Sequence, residues 1–437
     1  MHLAETIANA STHFFRKNNS VVFAVVLKVI DEMDLRSRLG LYKEGIKEAP
    51  SVPPLDNGRD INMLVPGSVQ SNDMGNCYVI ENRYPLSYLH GGCSLGDILK
   101  AGSDILAALA STDCEDLQAG RLLYLDTETT GLSGGAGTVS FLVGVGFFEE
   151  DVFIIRQYFM RDYDEEAAML TELQQLFARH MGFVTFNGKS FDINLLQSRF
   201  ISNRLKSSFR ELPNLDLLYP SRRVWGLKLE SCKLSSLEEN VLEEYRGDDI
   251  PGEQIPAVYF KYLEDRDASD IKRVVRHNEL DMLSMVSLLA RLSCMLQSPL
   301  SETDGGYELL GLGRIFEAHG NTDCMLECLE ACTGSAQYQV RSKAVKRLTG
   351  LYKKNGSYDR ALEHWKAIES ENPGFELFHL VEMAKYHEHK SKDIGSALAL
   401  VERAIQNCLG AGLSGNKQYN ELKRRRDRLR KKVQRQA

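Results

Sequence analysis

The chain has 437 residues, 43% of them hydrophobic, and a formal net charge of −7, so it is long enough for two or three domains with proper cores. The acidic balance excludes nucleic-acid binding by bulk charge and requires any such surface to be local. Nine cysteines without a CxxC pair exclude a disulfide framework and predict reduced thiols in a cytoplasmic protein, while no apolar run reaches the roughly 18 residues that span a bilayer and no secretory signal opens the sequence.

Residues 1–118 carry no assignable chemistry. A helix is predicted over Val21 to Leu41, a Pro-, Asn- and Gly-rich loop from Pro50 to Asn76, and a short strand at Cys77 to Ile80. The pattern changes at Leu122, where a separate domain is expected over 119–297. Leu122 to Leu125 is an apolar run typical of a buried strand. Val139 to Phe148 and Val152 to Phe159 predict two more strands joined by the acidic turn Glu149-Glu150-Asp151. Ala168, Leu170, Leu173, Leu176 and Phe177 recur at helical spacing between Asp164 and His180. Phe183 to Phe186 predicts a fourth strand and Phe191 to Leu205 another helix. Strands that then alternate with helices imply a mixed sheet covered by helices.

After about Ser301 the pattern is helical, with repeats expected over 305–415. Gly320, Met325 and Leu329 align with Gly356, Ala361 and Trp365 at an offset of 36 residues, and Ala361 recurs as Ala397. Tyr352, Gly356, Ala361, Trp365 and Pro373 fall where a tetratricopeptide repeat places its Tyr, Gly, Ala, aromatic and Pro. Each such unit needs its neighbours to bury its apolar face. Cys324, Cys328 and Cys332, one helical turn apart, are read as core residues of this region. Residues 416–437 form a basic tail: Lys423 to Arg435 holds nine basic residues and one acidic, and such a run is attracted to phosphate backbones or is a solvated helix.

Chemistry is concentrated in acids at three places. Asp126-Thr127-Glu128 ends the first strand, and side chains two apart on a strand share a face. Two carboxylates so close repel each other, which a hard divalent cation with oxygen ligands relieves. Asp192 follows a strand and opens a helix, where a carboxylate is electrostatically favoured. His277 and Asp281 are one helical turn apart and share a face. Singly these are ordinary surface acids, an N-cap and a solvated pair. Jointly, between Leu122 and Leu292, they point to one metal site. Thr129, Asn187 and Lys189 stand beside the acids as candidate substrate contacts. Arg222-Arg223-Val224-Trp225, with Lys228 and Lys233, offers backbone charge and base stacking or simply a solvated loop.

The order D-x-E, N-x-x-x-F-D, H-x-x-x-D resembles the three exonuclease motifs of the DEDD superfamily. LDTETTGLSGGAGT, VTFNGKSFDINLL and HNELDMLSM resemble the YprB-like ribonuclease H-like family more closely. The resemblance implies an α/β ribonuclease H-like domain (a mixed sheet flanked by helices) followed by an all-α helical-repeat domain. It implies two divalent cations, Mg²⁺ or Mn²⁺, held by Asp126, Glu128, Asp192 and Asp281, with His277 orienting or deprotonating the attacking water. The implied activity is a 3′–5′ exonuclease releasing nucleoside 5′-monophosphates from single-stranded DNA or RNA. Better-known branches place Tyr four residues, or His five residues, before the last Asp; here His277 takes the Tyr-type spacing. An endonuclease of the same fold and an inactive scaffold binding protein or nucleic acid through its repeats are the competing readings, and four intact acids favour an enzyme. The repeats are expected to dock a protein partner or substrate, so a chain ending near Gln297 is expected to retain the chemistry.

Overall fold

Residues 59–110, 116–131, 137–207, 209–303, 305–371 and 377–436 are described in the computed structural model. The helix predicted over Val21 to Leu41 and Pro373 of the repeat pattern lie outside them. Seven strands form one sheet: β1 (Ser68–Asn72), β2 (Gly75–Pro85), β3 (Leu122–Thr129), β4 (Ser140–Glu149), β5 (Val152–Phe159), β6 (Gly182–Thr185) and β7 (Asn214–Asp216). Their spatial order is β1-β2-β5-β4-β3-β6-β7. The β3–β6 and β6–β7 pairs are parallel and the others antiparallel. The mixed sheet is therefore as expected. Two of its strands precede residue 119: β2 contains the strand expected at Cys77 to Ile80, whereas β1 lies within the stretch from Pro50 to Asn76 that was expected to be a loop.

Alternation along β3 decides what each sheet face receives. Leu122 and Tyr124 pack into one core with α1 (Ser103–Ala110), α4 (Leu218–Trp225) and α6 (Ile271–Gln297). Leu123 and Leu125 pack into another with α2 (Glu166–Phe177), α3 (Asp192–Ser202) and α5 (Ile255–Asp265). Continuing the period of two, Asp126 and Glu128 emerge on the α6 face and Thr127 on the α3 face.

The C-terminal region is helical: α7 (Gly306–Ala318), α8 (Thr322–Thr333), α9 (Tyr338–Lys354), α10 (Tyr358–Glu371), α11 (Phe378–Tyr386), α12 (Ile394–Gly410) and α13 (Lys417–Gln436). Each helix packs on the next. The 36-residue period is visible in the backbone. Gly320 (φ 79°), Gly356 (φ 77°) and Lys392 (φ 60°) all turn the chain left-handed at the same point of successive hairpins. Met325, Ala361 and Ala397 are buried, as are Leu329, Trp365 and Val401. Cys328 and Cys332 are fully buried, their thiols pushed up to about 12 by burial, which fits a core role.

Two expectations change. The division near Gln297 cuts through a shared core, because α4 docks on α7. A Cβ on Gly311 would lie 2.4 Å from the Arg223 carbonyl oxygen, so the two backbones touch there. Trp225 Nε1 donates to Glu308 Oε1 at 3.1 Å and Lys228 Nζ does so at 2.8 Å. Residues 61–437 form one compact unit. The basic C-terminal segment, secondly, is a docked helix. Leu422 and Leu429 are buried, and Arg425, Arg428 and Lys432 converge on the fully buried Glu388 carboxylate at 2.9, 2.7 and 2.7 Å. Among the described residues no helix is long and apolar enough to cross a membrane.

Candidate active site

The D-x-E strand end supplies the first two acids. Asp126 pairs across the ladder with Gly144 and Glu128 with Leu142, and the register shifts between Glu128 and Thr129. The glycine is required. A Cβ at Gly144 would lie 2.1 Å from Asn278 Oδ1, and Asn278 needs that space to reach Asp126. Its Nδ2 donates to Asp126 Oδ2 at 2.8 Å, while its Oδ1 accepts from Gln157 Nε2 at 2.9 Å. Gln157 is itself fixed by donating to the Val275 carbonyl at 2.8 Å. A buried amide relay on α6 thus holds Asp126 in place.

Asp192 arrives from the other side as the first residue of α3, where Thr127 Oγ1 donates to its Oδ1 at 2.5 Å. The preceding turn is pinned by Asp216 at the end of β7, which accepts from the backbone N–H groups of Asn187 (2.7 Å) and Lys189 (3.0 Å). Asp281 and His277 project from α6. His277 Nε2 lies 3.6 Å from Asp281 Oδ2. Its Nδ1 donates to Asp249, with oxygens at 2.8 and 2.9 Å. This bond orients the ring and leaves Nε2 aimed at Asp281. Arg246 completes the group, donating to Asp281, to Glu238 and to Asp249.

The acids feel one another. Burial raises the Asp126 carboxyl well above its usual range, and the charges of Asp281, Asp192 and Glu128 push it further. Burial, then Asp281 and Asp192, lifts Glu128 to about 8. Burial lifts Asp192 to about 6 against the opposing Thr127 hydrogen bond. Carboxylates clustered and drawn out of water in this way are driven to hold protons. Ligand atoms of Glu128, His277 and Asp281 lie within 4.8 Å of one another. Carboxylate oxygens with one imidazole are donors for a divalent metal ion, and the residues present fit such an ion.

The five residues expected at the centre (Asp126, Glu128, Asp192, His277 and Asp281) are brought together. The expected substrate contacts divide. Asn187 and Arg222 line one cleft of about 650 Å³ with Lys233. Lys189 is exposed, with Nζ 3.3 Å from the Ala110 carbonyl and 5.9 Å from the Tyr219 ring centre. Thr129 is only 7% exposed and donates to the Gly131 carbonyl at 2.8 Å, so its hydroxyl closes the turn. Trp225 offers no stacking face, because it is 1% exposed in the α4–α7 contact. The Arg223 backbone lies in the same contact. Sequence reasoning missed Gly144, Asn278, Arg246 and Asp249. Gly144 gains its meaning only from strand pairing and Asn278 only from the packing of α6 on the sheet; Arg246 and Asp249 sit in a segment without periodicity.

A mixed sheet in which a D-x-E strand is central, with acids added from two flanking helices, defines an RNase H-like nuclease domain, and residues 123–293 match the RNase H superfamily model. Over 367 residues the chain is 31% identical to YprB of Bacillus subtilis (strain 168), a protein described as uncharacterized, with 82% of this chain and 86% of YprB covered. The chain belongs to the YprB family within that superfamily.

Proposed function

We propose that the protein is a 3′–5′ exonuclease acting on single-stranded nucleic acid, dependent on two divalent cations, Mg²⁺ or Mn²⁺. The observation that carries this reading is the meeting of four carboxylates from β3, α3 and α6 at one strand end of an RNase H-superfamily domain. Asp126, Glu128, Asp192 and Asp281 would hold the ions, which supply Lewis acidity toward the phosphodiester when bound. Asn278 keeps Asp126 aimed at the site, and Thr127 does the same for Asp192. His277, its Nδ1 proton committed to Asp249, presents Nε2 to accept the proton of the attacking water. The exposed Asn187, Arg222 and Lys233 cleft is the proposed track for the substrate strand. The C-terminal helical region is proposed to hold substrate or a protein partner and, through α4, to fix the wall that carries Arg222.

Single-stranded DNA and RNA carrying a label at either end test this reading. With Mn²⁺, the 3′ label is expected to leave at once as a mononucleotide, while the 5′ label shortens stepwise; chelation stops both. Internal fragments from both labels would make it an endonuclease. No metal-dependent cleavage of either polymer would overturn the assignment.

A further inference from the structure

Arg246 is gripped by more anions than a residue outside helix and strand requires. Its side chain is 12% exposed. One guanidinium nitrogen donates to both Glu238 and Asp281, and another lies 3.1 Å from Asp249. Glu238 is 2% exposed at its side chain, so this is a built position and not a surface encounter. Three carboxylates fixed on one planar fork suit arginine and not lysine.

The two sides of the acid cluster are compensated differently. At Asp126 the partner is the neutral amide of Asn278, and at Asp192 the neutral hydroxyl of Thr127. At Asp281 the partner is a full positive charge. Asp281 Oδ1 carries Arg246 and Oδ2 faces His277. Glu128, His277 and Asp281 are also the group whose ligand atoms converge for one ion. A divalent cation drawn to Asp281 therefore meets a guanidinium on the same carboxylate. The two cations repel, and each weakens the other's hold there.

We infer that Arg246 is the internal counter-cation of the site, competing with a divalent ion for Asp281 and setting the affinity of the Glu128–His277–Asp281 group. The inference rests on the metal-site reading proposed above. When an ion takes Asp281, the guanidinium keeps Glu238 and Asp249, so the arginine is loosened without becoming an unpaired buried charge. Competing interactions of this kind are coupled by typically 5–150-fold in affinity. A purely structural role for Arg246 predicts the opposite sign, since losing a scaffold disorders Asp281 and Asp249 and weakens ion binding.

Calorimetric titration of the chelated full chain with Mn²⁺ decides between these, for the unaltered protein, Arg246→Met and Arg246→Lys. Melting temperatures are read with chelator and with Mn²⁺. Arg246→Met is expected to bind Mn²⁺ at least about 5-fold more tightly at its weaker site. Its chelated form should melt lower and gain more from Mn²⁺ than the unaltered protein does. Arg246→Lys, with a point charge in place of the fork, should fall between the two. If Arg246→Met fails to fold, Arg246→Lys carries the test alone and must still bind more tightly. Unchanged or weaker Mn²⁺ binding in the folded variants overturns the inference and leaves the metal site standing. Absence of Mn²⁺ binding to the unaltered protein removes the site itself, and the inference with it.

Discussion

Two carboxylate sites of the molecule are treated in opposite ways. At the end of β3, Asp126, Glu128 and Asp192 lie close together, and burial first and neighbouring carboxylates second raise their proton affinity. Among the C-terminal helices, Glu388 is 2% exposed. Burial alone would raise it, but Lys432 and Arg428 hold it down to about 2. Both sites centre on carboxylates held away from bulk water. What separates a site built for a ligand from one built for stability is whether the chain supplies the cations. Glu388 has its own, whereas the β3 cluster has Arg246 on one flank and neutral groups on the others.

The sharpest way to break this contrast is to remove one acid from each place. Asp126→Asn takes charge and not volume. It should lower nuclease turnover at least about a thousand-fold if the acids hold catalytic ions. Glu388→Gln should leave turnover per folded molecule unchanged. Rates on a single-stranded oligonucleotide, normalised to the folded fraction, measure both. Full activity in the Asp126→Asn protein would put the β3 cluster with Glu388, as a site of stability alone.

A smaller effect is expected one layer out. His277→Ala should slow turnover by about 10²–10⁴-fold, and Asp249→Asn, which loses the charge that orients the ring, by about 10–100-fold. His277→Tyr should recover part of the rate, because a phenol at this spacing can still position water. If His277→Ala lowers the melting temperature and leaves the rate intact, the histidine belongs with Glu388 on the stability side of the comparison.

The smallest effects concern pH, and the two sites should give opposite slopes. Glu128 is raised from 4.5 to about 8. Between those values the folded, chelated protein holds a proton that the unfolded chain has released. Its contribution is therefore complete below about pH 4.5 and is lost as pH rises through 8. Glu388 is depressed from 4.5 to about 2, so its contribution is complete above pH 4.5 and is lost as pH falls through 2. Melting temperature against pH in chelator should show both limbs. Glu128→Gln should flatten the alkaline limb, Glu388→Gln the acid one, and Mn²⁺ should abolish only the first. A Glu128→Gln protein that keeps its alkaline limb would detach the slope from the cluster.

Local pattern carried much of this architecture, and pairing carried the rest. The apolar run into Asp126, the turn at Glu149-Glu150-Asp151 and the 36-residue spacing of Gly320 and Gly356 are each short-range signals. They matched strand, hairpin and helical hairpin. Strand β2 was only partly legible, because beyond Ile80 it reads Glu81-Asn82-Arg83-Tyr84, a polar stretch. Asn82 and Tyr84 find their partner in Glu279, nearly two hundred residues away. Gly144 has no meaning until β4 lies against β3. Arg222-Arg223-Val224-Trp225 misled for a similar reason. A basic and aromatic cluster looks like a nucleic-acid surface, yet its tryptophan is the peg that fastens α4 to α7. The basic run after Lys423 was legible as charge, but its counter-charges at Glu388 and Glu402 lie on other helices.

The α4–α7 contact also has a consequence for biosynthesis. A nascent chain that has released β3 to β7 and α6 has every strand of the nuclease sheet in hand. Val224 and Trp225 nevertheless remain uncovered until the segment holding Glu308 and Gly311 has followed them out. The ribosome thus delivers the chemistry before it delivers the wall that seals it, and the newborn sheet must wait with an apolar flank facing water. Synonymous codons that slow translation just after residue 297 would lengthen that wait, so misfolding of this protein in the cell should respond to translation speed at a point well past its last acidic ligand.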